Sequence, residues 1–204
     1  MTIKGSPPPS GSLLVANHVS YIDILALACS SPCFFTPKAE ISHWPIIGQV
    51  VLLTRHPFIK RIRGRNLLEA MKEVRTRLEA STSVCVFLEG TTTAGDRILP
   101  FKPALLLPAM EMDAPIVPVG LHWSSNVPGM SVRDDIAFWG DHTFIHHLWR
   151  LMGLHGFEVE VRFSEPVHPN QESRKDFARQ LRDRMLHLAD LPDHLTPGSP
   201  TNQV

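Results

Sequence analysis

Leu13-Leu14-Val15-Ala16-Asn17-His18-Val19-Ser20-Tyr21-Ile22-Asp23 is the stretch from which the fold of this chain is read. Four consecutive apolar residues of strand length end on a polar pair, and residues 20–29 then take on a helical pattern. The same move recurs further on, where the apolar run 84–88 delivers the chain into Glu89-Gly90-Thr91-Thr92-Thr93, a turn rich in hydrogen-bond donors. Residues 33–36, 58–59 and 115–121 read as further strands, the last one needing a place for Pro118 where an amide is free. In residues 157–163 Phe157, Val159, Val161 and Phe163 alternate with Glu158, Glu160 and Arg162, so that one face meets solvent.

Between these strands lie helical patterns. Leu67, Met71, Val74 and Leu78 recur at steps of three and four across residues 66–80. Residues 103–112 suit a shorter helix, and Ser173 with Asp176 opens a last one as a capping-box pattern. A helix over 38–53 would be broken by Pro45 and Gly48. Strands alternating with helices predict one α/β layered domain, a mixed β-sheet flanked by helices, whose functional loops lie at strand ends. Residues 13–190 are expected to form that domain, after a flexible leader of residues 1–12 and before a loose tail of residues 191–204.

Composition bounds the function. At 204 residues, 43% hydrophobic and 20% charged, the chain can bury one core. Twenty Lys and Arg balance twenty Asp and Glu, which removes the chain-wide basic field that nucleic acid requires, so no nucleic-acid partner is expected. Cys29, Cys33 and Cys85 cannot pair completely and lack the repeated C-x-x-C spacing of a zinc site. No window reaches the roughly 18 apolar residues of a spanning helix. The most apolar stretch, 46–53, is interrupted by Gly48 and Gln49.

His18 and Asp23 are the first chemical candidates. In one continuous helix five steps would set them about 140° apart. If His18 instead lies in the turn before the helix and Asp23 in its first turns, the carboxylate can orient the imidazole as a general base. The alternative is a turn histidine beside a solvated helix charge. No G-x-S-x-G is present, and Cys85 lies in an apolar strand where a thiolate is poorly stabilised, so the attacking group should come from a substrate. The Glu89-Gly90-Thr91 turn offers backbone N–H groups to an anion, and the cluster of Lys60, Arg61, Arg63 and Arg65 offers guanidinium groups to phosphate oxygens. Each of these also reads as an ordinary turn or a solvated basic face.

Taken in order, the blocks resemble the glycerolipid acyltransferase family typified by 1-acylglycerol-3-phosphate acyltransferase. Asn17, His18 and Asp23 match its N-H-x-x-x-x-D motif, and Pro57-Phe58-Ile59-Lys60-Arg61 matches the second motif with Arg61 at the arginine. Phe87-Leu88-Glu89-Gly90-Thr91-Thr92-Thr93 matches the third, and Ala114-Pro115-Ile116-Val117-Pro118-Val119-Gly120-Leu121 the fourth. The resemblance implies His18 and Asp23 as the catalytic pair, with Arg61, Glu89, Gly90 and Thr91 holding the acceptor. It implies an acyl-CoA or acyl-carrier-protein donor, a lysolipid acceptor, no metal or prosthetic group, and a peripheral position on the cytoplasmic side of a membrane surface. Leu88 stands where the family has proline and Thr92 where it has arginine. The phosphate site is therefore expected to be weaker unless Arg63, Arg65 or Lys102 compensates, and lyso-ornithine lipid becomes the alternative acceptor to 1-acylglycerol-3-phosphate.

The family commonly carries membrane-engaging helices before the first motif. Attachment is then expected from within this domain, unless the sequence is a short form. Residues 142–154, with Phe144, Trp149 and interspersed histidines, read either as an interfacial segment or as a buried core helix. Two rival functions stay open at this point. One is a metal protein using His142 and His146 at i, i+4 spacing, and the other is a catalytically silent lipid-binding module.

Overall fold

The computed structural model describes residues 1–35, 65–169 and 173–191. Its centre is a six-stranded sheet in the order β1-β6-β5-β2-β4-β3, formed by β1 (Thr2–Lys4), β2 (Leu13–Ala16), β3 (Phe34–Phe35), β4 (Val84–Val86), β5 (Ile116–Ser125) and β6 (Phe157–Phe163). All neighbours are parallel except β5 and β6. The mixed α/β sheet expected from the alternation of elements is what the chain forms.

Every residue of β2 is fully buried because the sheet is covered on both faces. Leu13 and Val15 point into one apolar cluster, and Leu14 and Ala16 into the other. The first cluster is closed by α2 (Arg65–Glu79), a 3-10 turn (Pro103–Leu106) leading into α3 (Leu107–Glu111), and α5 (Arg174–Leu188). The second is closed by α1 (Ile22–Ser30), a π turn (Val132–Ile136) and α4 (Phe144–Met152). Ser173 caps α5 by accepting from the Asp176 amide at 3.3 Å, as its pattern requires.

Several elements depart from the sequence reading. Thr2–Lys4 pair in parallel with Glu160–Arg162, so the first residues of the expected leader form an edge strand. This strand is exposed along its length, and no apolar run marks it. β4 ends at Val86, two residues early, because Phe87 already enters the turn. β5 runs on to Ser125, since its extension pairs with β6 at Leu121↔Val161 and Trp123↔Val159. Pro118 lies at the end of that register, just beyond Val119↔Phe163, where its carbonyl still accepts the Ser164 amide at 3.0 Å and its missing amide falls where the ladder ends. The patterns at 38–53 and 58–59 lie outside the described residues.

The segment 142–154, helical over Phe144–Met152, divides between its two expectations. His147 and Leu151 are buried and Phe144 and Leu148 pack on the second cluster, whereas Ile145, Trp149 and Met152 are 57%, 71% and 66% exposed along the opposite face. Only the buried face is core.

Gly120 sets the seat of α5. A Cβ there would stand 2.7 Å from the backbone of Leu188, closer than real side chains approach. Gly120→Ala is expected to push α5 off the sheet and cost about 1–3 kcal/mol, read as a lower Tm in thermal denaturation. An unchanged Tm would mean that the helix has room to move.

Candidate active site

The chain leaves β2 at Ala16 and does not become helical until Ile22, which places His18 in the intervening turn and Asp23 in the first turn of α1. That is the arrangement under which the two side chains can meet. His18 Nδ1 lies 2.9 Å from Asp23 Oδ2. The same oxygen accepts the amides of Val19 at 2.7 Å and Ser20 at 2.9 Å, and Oδ1 accepts the indole N–H of Trp123 at 2.8 Å. Asp23 is completely buried, so it is not a solvated helix charge.

The tautomer of His18 follows from these partners. The amides and the indole can only donate, and a carboxylate serving them is an acceptor. Nδ1 must therefore carry the hydrogen that faces Oδ2, which leaves Nε2 as the basic nitrogen. The ring is stacked on Phe87 with centroids 3.9 Å apart and planes 11° from parallel. Its side chain keeps 17% exposure, enough to meet a substrate.

Glu89 holds the turn from the other side. Its Oε1 accepts the His18 amide at 2.9 Å and its Oε2 accepts the Leu99 amide at 2.8 Å. Both carboxylate oxygens thus bind backbone of the chain itself, and the residue is 2% exposed. Burial pushes its pKa up to about 7, with nearby Asp23 acting in the same direction and the two amides and Arg182 against it. The His18 carbonyl in turn accepts the Thr93 amide at 2.9 Å.

Gly90 has φ 73°, a conformation that glycine tolerates. A Cβ at this position would stand 2.6 Å from Lys102 Nζ, so the lysine ammonium lies directly over the Gly90 backbone. Thr91 beside it is exposed. The Thr92 hydroxyl donates to the Phe138 carbonyl, tying this turn to the segment before α4. His18, Asp23, Glu89, Gly90 and Thr91 are thereby brought to one end of the sheet, at the exits of β2 and β4. Arg61 lies outside the described residues.

Trp123, which the sequence reading does not name, and Phe87, which enters it only as the first residue of a motif, complete the histidine's setting. Trp123 continues the inward series Val117, Val119 and Leu121 at a period of two, and a tryptophan at the end of such a series needs a partner for its N–H. That was the available signal. His142 precedes α4 and stacks on His147 at 5.7 Å, so His142 and His146 do not form a pair on one helix. Among the described residues no three His, Cys, Asp or Glu side chains group as metal ligands do. Burial pushes the Cys85 thiol up, in keeping with a poor nucleophile.

Residues 2–122 match the family model described as Acyltransferase. The chain is 34% identical over 188 residues to a lyso-ornithine lipid O-acyltransferase of Brucella abortus, covering 86% of this chain and 70% of that protein. It is 31% identical over 181 residues to the Pseudomonas aeruginosa protein of the same name, covering 88% and 68%. A 1-acyl-sn-glycerol-3-phosphate acyltransferase of Neisseria gonorrhoeae is 32% identical over 155 residues, covering 76% and 60%. The fold is similar to that of the Thermotoga maritima 1-acyl-sn-glycerophosphate acyltransferase PlsC, with a TM-score of 0.63 at 22% identity over 93% of this chain and 70% of that one. The turn that orients His18 on Asp23 is therefore carried by a chain that belongs to the glycerolipid acyltransferase family, and this protein is an O-acyltransferase of that family.

Proposed function

We propose that this acyltransferase moves a fatty acyl group from acyl-CoA or acyl-carrier protein to the hydroxyl of a lysolipid, with His18 as general base. The observation that carries the reading is the hydrogen bond from His18 Nδ1 to Asp23, which leaves Nε2 free to take a proton. Nε2 removes the acceptor's hydroxyl proton as that oxygen attacks the thioester carbonyl. The tetrahedral intermediate then expels the thiolate, which takes the proton back from the imidazolium. Asp23 stabilises the imidazolium between these steps. Neither step needs a metal or a prosthetic group.

The acceptor reading is 1-acylglycerol-3-phosphate, its phosphate held by Lys102 over the Gly90 turn together with Arg61, and its glycerol by Gly90 and Thr91. Glu89 acts in this scheme by fixing the His18 backbone. A second reading, lyso-ornithine lipid, is favoured by a specific observation. The Thr92 hydroxyl is spent on the Phe138 carbonyl, so it adds no donor for a phosphate, and the relatives bearing the lyso-ornithine name match more of this chain. Both acceptors use the same His18 chemistry.

His18→Ala is expected to abolish acyl transfer with the fold intact by circular dichroism. Asp23→Asn is expected to lower kcat by about 10²- to 10⁴-fold, because an amide NH₂ would face a donor whichever way it turned. Turnover by His18→Ala at the wild-type rate would sink the mechanism. EDTA treatment is expected to leave wild-type activity unchanged.

An acceptor panel at equal concentrations, with one radiolabelled acyl-CoA, decides between the lysolipids. Acylation of 1-acylglycerol-3-phosphate that falls in Lys102→Ala through a raised acceptor KM supports the first reading. Acylation of lyso-ornithine lipid alone moves the assignment to the second.

The lipid acceptor argues for a peripheral position on the cytoplasmic side of a membrane, and among the described residues no helix is long and apolar enough to cross one. The outward face of α4 is the proposed contact, with Ile145 and Trp149 as the residues entering the interface. Replacing both by Ser is expected to weaken binding to phosphatidylethanolamine and phosphatidylglycerol vesicles while Tm holds. Phe144→Ser, on the packed side, is expected to lower Tm instead. Vesicle binding indifferent to Ile145 and Trp149 would exclude this face.

A further inference from the structure

Arg182 is buried in α5 at 5% exposure, where an unpaired charge is costly. Asp183, the acidic residue next to it in the chain, is half exposed and 3.9 Å away. Its guanidinium instead spends two N–H groups on one backbone oxygen, the carbonyl of Ile98, at 2.9 and 2.6 Å. That carbonyl belongs to the same peptide group as the Leu99 N–H, which donates to Glu89 Oε2. A peptide group is planar and its C=O and N–H point in opposite directions. Arg182 and Glu89 therefore clamp one rigid plate from its two ends, the cation at the oxygen and the carboxylate at the N–H. The other oxygen of Glu89 holds the amide of His18.

We propose that Arg182 is a positioning residue for acyl transfer: through the 98–99 peptide group and Glu89 it fixes the backbone that carries His18. The proposal rests on His18 being the base. The Arg182 guanidinium also acts on Glu89 directly through its charge. The groups facing Glu89 are the Leu99 and His18 amides and Arg182 from α5, which lower its pKa, Asp23 from α1, which raises it, and Lys102, which lies over Gly90 on the turn that carries Glu89. Removing the guanidinium would let the Glu89 carboxyl keep its proton to higher pH, and a protonated carboxyl serves two amide donors less well.

The test is a double-mutant cycle of Arg182→Met and Glu89→Gln, with Arg182→Lys alongside, reading kcat and both KM values across pH at a temperature where all variants are folded. Arg182→Met is expected to lower kcat by about 10-fold, to leave the KM values near wild type and to move the acidic limb of the kcat profile to higher pH. In the Glu89→Gln background the same change is expected to do little more, and Arg182→Lys to restore part of the rate. Independent, multiplying losses, or an acidic limb that does not move in folded Arg182→Met, would overturn the proposal. Should Arg182→Met fail to fold, Arg182→Lys decides: it keeps the charge but loses the two-pronged hold on Ile98, so a wild-type kcat overturns the relay.

Failure of the functional reading leaves a separate signature. If His18→Ala remains active, the His18 mechanism falls, while the coupling of Arg182 and Glu89 can still be read in stability. Glu89 has its folded pKa raised from 4.5 to about 7. Its contribution is thus fully present below the unfolded value and is lost as pH rises through the folded one. In Arg182→Met that loss is expected to continue to higher pH, as measured by Tm against pH, and an identical pH dependence of Tm would break the coupling itself.

Discussion

One buried carboxylate organises the catalytic end of this molecule. Asp23 has no contact with solvent and is surrounded by donors alone: an imidazole, two consecutive amides and an indole. A charge in that position is tolerable only because both oxygens accept hydrogen bonds, three on Oδ2 and one on Oδ1, and removing any donor would leave part of the cost uncompensated. The two amides force residues 18–20 into a turn around the carboxylate, and the turn sets the imidazole where Oδ2 can orient it. The catalytic geometry and the electrostatic solution to a buried charge are one arrangement.

The sheet supplies the place for it. From β2 the chain goes first to β3 at the edge and then to β4, which lies between them, before crossing over to add β5 and β6 on the other side. β2 is thus flanked by strands whose connections diverge, and a crevice opens beyond its carboxyl end, where α/β sheets commonly bind ligands. His18 stands at that opening. The neighbouring strand on one side contributes Phe87 and Glu89 through its exit, and the neighbour on the other contributes Trp123 through its length. Each helps to fix the same short turn.

How much of this could be read from the residues differs by element. β2, α1, α2, β6 and α5 follow from runs and periods strong enough to survive without tertiary knowledge, whereas five helical steps say only that His18 and Asp23 cannot meet inside one continuous helix, and their placement in turn and helix stood as the condition for a pair. Trp123 was harder, because its role appears only when β5 is extended four residues past its apolar run by pairing with β6. β1 has no sequence signal at all, being three exposed residues whose order comes from a partner far along the chain. Glu89 was legible as a residue of the site but not in its orientation. A carboxylate in a polar turn looks outward in sequence, and only the amides of His18 and Leu99 turn it inward. Arg182 was hidden among the solvated charges of an amphipathic helix.

The pairing of β1 with β6 has a consequence for how the chain comes into being. Ile3 waits for Val161 and Leu13 for Ile116, so the amino-terminal strands leave the ribosome long before the segments that neighbour them exist. Until β5 emerges, one edge of β2 carries unsatisfied backbone groups and two apolar faces, a condition that invites aggregation. Vectorial synthesis therefore cannot complete this protein piece by piece. Among the described residues the sheet is complete only once β6 has been made, and α5, which follows β6 in the chain, can seat against Gly120 only then.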